Sequence, residues 1–141
     1  MTVPDMPHSF FPRKKEWLKV IEDFNPDENS ILIGHSLGGT TILWYLEKTD
    51  KKIAKCIFVA TPIGKLGPKE IDNFFEPDFD WEKIKKAAEK FVVLNQKEDS
   101  VVNIKNGEDL ARHLGTDLIL AEGNDHFDTI DFSLLEKYVL E

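Results

Sequence analysis

Two textures alternate along the chain. Short apolar runs rich in β-branched residues lie at 30–34, 53–60, 91–94 and 117–121, bounded by Gly, Pro, Asn or Asp. Brief runs of this kind suit strands buried on both faces. Between them lie helical patterns. Over 12–24 the apolar residues Trp17, Val20, Ile21 and Phe24 form one stripe, with Pro12 suited to the first turn. Over 39–48 the pattern is apolar nearly all round (Ile42, Leu43, Trp44, Leu46), as expected of a helix pressed against a sheet. Segments 105–114 and 132–140 each carry a single apolar face. Strands alternating with helices predict βαβ units, a parallel sheet with right-handed crossovers, and helices on both of its faces.

One interval breaks the rhythm. About 30 residues separate the strand at Ile57 from that at Val92. They contain Phe74, Phe75, Pro77, Phe79 and Trp81, followed by a helical pattern that runs to Lys90. This aromatic material either caps a site at the strand ends or simply covers core.

The chain has 141 residues, enough for a single domain over 1–141 with a real core. Its formal net charge is −8, and no run of Lys or Arg offsets it. Nucleic acid and anionic membranes are therefore poor partners. The lone Cys56 sits in an apolar run and reads as a buried hydrophobe in a reducing compartment. No stretch approaches the roughly 18 apolar residues of a membrane helix, and the first residues have neither a basic nor an apolar signal region. A cytoplasmic location is expected.

The chemistry centres on Gly34-His35-Ser36-Leu37-Gly38, a G-x-S-x-G pentapeptide. Alone it decides little, since such a triplet of residues turns up in about one chain in twenty of this length. Its context decides more: an apolar run ends directly before it and a helical run begins directly after. A turn that tight needs small residues on both sides of the serine, because a side chain at either glycine would strike backbone. Ser36 would then stand above the sheet at a helix N-terminus, where backbone amides favour developing negative charge. A phosphate loop is the competing reading, but both the Lys-Ser/Thr pair and G-x-G-x-x-G are missing. The four His and one Cys show no zinc spacing.

A nucleophilic serine needs a base and an orienting acid, in the order Ser, Asp or Glu, His. His126 follows the last strand, whereas His8 precedes the turn, His113 lies in a helix, and His35 is beside the serine and poorly aimed at it. Asp99 follows the strand at 91–94, where parallel sheets carry their sites. Glu98 is its nearest competitor, and Asp109 is already helical.

These residues resemble a known family. The segments "VPDMP", "DENSILIGHSLGGT", "FF…PDFDWEKI", "EDSVV" and "DHF" are similar to those of small serine hydrolases related to retinoblastoma-binding protein 9 and bacterial YdeN-like proteins. These are compact α/β-hydrolases, and the likeness covers nearly the whole chain. It implies a Ser36–His126–Asp99 triad, with Leu37 N–H as one oxyanion donor. Two positions depart locally: Asp125 stands where the family often has Gly, and Asn103 where Pro is common. A larger departure is at the start. Family members open with a strand and a His-Gly loop that supplies the second oxyanion donor, so the chain reads as an N-terminally shortened member lacking the first strand. Residues 1–7 are then expected to be poorly tied to the sheet, and the strand before Ser36 to present an open edge that invites self-association.

The resulting expectation is a serine hydrolase acting on a small-molecule or peptide ester, thioester or amide through an acyl-enzyme. His35, Phe74, Phe75 and Trp81 are the candidates for lining its pocket, and no cofactor or metal is implied. The alternative is a catalytically impaired hydrolase-fold protein that serves as an interaction module.

Overall fold

The computed structural model describes residues 1–128 and 132–141. Four strands alternate with helices: α1 (Lys14–Phe24), β1 (Ile31–His35), α2 (Leu37–Lys48), β2 (Ile53–Val59), a 3₁₀ helix (Lys69–Phe75), α3 (Trp81–Lys86), β3 (Ala88–Gln96), α4 (Ile104–Leu114), β4 (Leu118–Ala121) and α5 (Phe132–Leu140). The strands form one parallel sheet in the order β1-β2-β3-β4. Each strand thus pairs with the next in sequence, and each crossover passes through a helix.

The two faces are covered unequally. On one, Leu43, Leu46, Cys56, Phe58, Ile84, Val93 and Leu110 form the largest core cluster under α2, α3 and α4, with α1 outside α2. Residues 39–46 of α2 are all buried, which explains its lack of a polar face. Burial also pushes the Cys56 thiol well above its ordinary pKa, so this cysteine is unreactive. On the other face, Ile57, Val59, Leu94 and Phe127 pack against Leu134, Leu135, Tyr138 and Val139 of α5. The buried Lys55 ammonium donates to the carbonyls of Tyr138 (2.7 Å) and Val139 (3.3 Å), a cation at a helix C-terminus.

Three sequence expectations are refined. The helical pattern extending to Lys90 ends at Lys86, and Ala88-Glu89-Lys90 opens β3 instead, with Ala88 opposite Ile53 and Lys90 opposite Lys55. Ala, Glu and Lys favour helix, but the ladder offered by β2 overrides that preference. The aromatic interval is chiefly core. Phe74 meets Trp17 edge-on at 5.2 Å, Phe79 stacks on Trp44 at 4.2 Å, and Trp44 Nε1 donates to the Phe74 carbonyl. Residues 1–7 form no strand. Residues 1–5 are exposed, while the Pro7 carbonyl accepts from Trp17 Nε1 (2.8 Å) and Met6 lies against the Trp17–Phe74–Phe75 cluster.

Among the described residues β1 has a partner on one side only. Leu32 and Gly34 face the main core, while Ile31 and Ile33 remain 39% and 37% exposed on the α5 face. No helix among the described residues is long and apolar enough to cross a membrane.

Candidate active site

Ser36 occupies the single residue between β1 and α2, with φ 54° and ψ −125°. A non-glycine residue held there carries strain of about 1–3 kcal/mol, which persists only where the surroundings enforce it. They do so through Ser36 N–H donating to the Val59 carbonyl (2.9 Å) and through the N–H groups of Gly39 and Thr40 donating to the Ser36 carbonyl. The Ser36 hydroxyl makes no cap bond to α2. The first amides of α2, beginning with Leu37, have no carbonyl one turn earlier to bond, and their dipoles favour an anion.

Of the two glycines of the motif, Gly34 meets the expected collision and Gly38 does not. A Cβ on Gly34 would lie 2.4 Å from Gly39 N and 2.5 Å from Gly39 Cα, an impossible backbone collision. A Cβ on Gly38 would meet nothing within 4 Å. The second tight position is Gly39, whose Cβ would fall 1.9 Å from Thr61 Oγ1. The turn is closed by backbone packing Gly34 against Gly39, one residue beyond the motif's end.

The candidate acid and base, Asp99 and His126, meet. Asp99 Oδ2 lies 2.7 Å from His126 Nδ1, and the Asp99 side chain is wholly buried. Its Oδ1 accepts from the N–H groups of Val101 and Val102, both at 2.8 Å, which fixes the carboxylate plane. A carboxylate only accepts, so Nδ1 is the protonated nitrogen and Nε2 of the neutral ring keeps its lone pair. Glu98 is exposed and lies outside this pair. Asn103 explains its own departure: it caps α4, accepting from Lys105 N–H at 2.9 Å.

His126 and Phe127 both have positive φ, 58° and 59°, so this short loop is strained as well. His35, beside Ser36, reaches it directly. Its Nε2 donates to the His126 carbonyl at 2.7 Å, and the two imidazole centroids are 4.7 Å apart. His35 is therefore a brace between the serine turn and the base loop. Phe74 and Phe75 are buried in the cluster against which Leu37 packs. Trp81 is not brought to this region. It stacks on His113, near the C-terminal end of α4, at 4.2 Å and 4°. Sequence reasoning missed Gln96, a buried polar residue ending β3, whose side chain bonds Asp125 and Phe127. The one signal available was a pair of polar residues, Asn95 and Gln96, closing an apolar run.

A family model described as serine hydrolase matches residues 5–133. The putative hydrolase YdeN of Bacillus subtilis (strain 168) is 30% identical over 128 residues, spanning 87% of this chain and 67% of its own. The serine hydrolase RBBP9 of Rattus norvegicus is 26% identical over 138 residues, spanning 96% of this chain and 73% of its own. The crystal structure of the B. subtilis ydeN gene product superposes with a TM-score of 0.86 at 26% identity, covering 98% of this chain and 81% of that one.

Proposed function

The chain belongs to the serine hydrolase family, and on that premise we propose that Ser36, His126 and Asp99 cleave a carboxylic ester, thioester or amide through an acyl-enzyme. The observation that carries the reading is the buried Asp99–His126 pair, braced by His35 to the strained turn that bears Ser36.

In this mechanism Ser36 Oγ attacks the substrate carbonyl carbon while His126 Nε2 takes its proton. The carbonyl oxygen gains negative charge at the N-terminus of α2, where Leu37 N–H donates to it. Asp99 holds the imidazole with Nδ1 protonated and stabilises the imidazolium. Collapse of the tetrahedral adduct expels the leaving group, which takes the proton from His126. Water, deprotonated by the same nitrogen, then attacks the acyl carbon and releases acid and free serine. The substrate is a small molecule or peptide, and the half-buried Leu37, backed by the buried Phe74 and Phe75, supplies apolar surface beside the reacting carbonyl.

A fluorophosphonate probe and a p-nitrophenyl ester test this directly. Wild type should be labelled at Ser36 and should turn over the ester. Ser36→Ala should abolish labelling, and Asp99→Asn should lower kcat about 10⁴-fold. Absence of labelling in folded wild type would leave the interaction-module alternative as the better account.

A further inference from the structure

We propose that Gln96 is a positioning residue for His126, its single amide gripping the base loop on both sides of the imidazole. The inference rests on the reading of His126 as the general base. Gln96 is the last residue of β3 and is 5% exposed. Its Nε2 donates to Asp125 Oδ1 at 2.7 Å, and its Oε1 accepts from Phe127 N–H at 3.1 Å. The residues it holds are the immediate neighbours of His126.

Three observations make this more than one buried hydrogen-bonded side chain among others. First, the loop needs a tie, because His126 and Phe127 are consecutive non-glycine residues in the left-handed region. Second, the loop is moulded on this amide. Gly123, at φ 125°, passes so close that a Cβ there would lie 2.5 Å from Gln96 Nε2. Third, the strand end that carries Gln96 also delivers Asp99, which takes His126 Nδ1 three residues later. Ring and loop are thus both referenced to the C-terminal end of β3, and His35 adds the third tie from β1.

The chemistry also gives the Asp125 carboxylate a partner. An amide at 96 has a donor end and an acceptor end, and the loop supplies a complement to each: a carboxylate at 125 and an N–H at 127. Glutamate at 96 would keep the acceptor for Phe127 but set a carboxylate against Asp125. Asparagine at 125 would then restore a donor opposite it. The pair can therefore be inverted, and an inert structural pair would show no matching recovery of catalysis.

The experiment compares wild type, Gln96→Glu, Asp125→Asn and the double variant Gln96→Glu/Asp125→Asn. Ester kinetics, urea stability, and the low-field proton resonance of the Asp99-bonded His126 Nδ1–H are read on each. Gln96→Glu should lower kcat about 10²-fold, the scale of an ångström-sized misplacement, with KM changed far less and the resonance broadened or lost. The double variant should recover the resonance and most of kcat. Unchanged kcat and resonance in Gln96→Glu would overturn the proposal. So would a loss that follows falling stability alone, or one that the double variant fails to recover. If wild type turns over no ester, the proposed hydrolysis has failed, and the resonance alone still decides whether Gln96 positions His126.

Discussion

At the scale of single residues, the serine turn rests on one close backbone approach. Gly34 lies against Gly39 with no room for a methyl group, whereas Gly38 faces open space. Gly34→Ala should therefore destabilise the fold by about 1–3 kcal/mol or more, as overpacking does. Gly38→Ala, inside the first turn of α2, should be neutral or stabilise by up to about 1 kcal/mol. Urea unfolding of the two variants checks the asymmetry, and equal losses would contradict it. The pairing of Asp99 with His126 was legible in the sequence, because the candidates Ser36, Asp99 and His126 follow strand ends in a fixed chain order. What could not be read were the ties between loops. His35 looked like pocket lining and Gln96 was not singled out, since a hydrogen bond across 91 or 31 residues leaves no trace in local pattern.

At the scale of elements, the strands and long helices followed from periodicity, and the misreading fell where propensity and pairing disagree, at Ala88-Glu89-Lys90. The aromatic interval divides similarly. Its residues are core, but which helix each covers depends on the path of a segment without period. Trp81 illustrates the consequence, since it stacks on His113 at the C-terminal end of α4. Burial holds the His113 imidazole below its ordinary pKa, and the Arg112 charge acts in the same direction. The unfolded chain therefore takes up a proton that the folded helix resists. This contribution to stability is complete above about pH 6.5 and is lost as pH falls below it. His113→Phe keeps a ring on Trp81 and removes the proton site. Its melting temperature should fall less than that of wild type between about pH 7 and pH 5, and parallel curves would refute the assignment.

For the whole molecule, the unequal covering of the sheet matters most. Four helices serve one face and α5 serves the other, leaving Ile31 and Ile33 partly bare beside the unpaired side of β1. A strand without charge, proline or bulge on such an edge is a template for another strand. Sedimentation should show weight-average mass rising with protein concentration, and Ile33→Lys should suppress the rise by placing a charge on the edge. A chain that stays monomeric at all concentrations would show that this edge is already protected.

The order β1-β2-β3-β4 also sets a timetable. Every new strand adds beside the one before it, so the sheet can grow at one side in the sequence in which a ribosome delivers it. Ser36 precedes both of its proposed partners in the chain, but its turn closes only when β2 brings the Val59 carbonyl to Ser36 N–H. Asp99 follows β3, and His126 emerges 27 residues after its partner carboxylate. Under the proposed mechanism the serine turn forms while the base loop is still unmade, and the serine stays inert over that interval. It gains reactivity only when the base loop locks onto the finished end of β3.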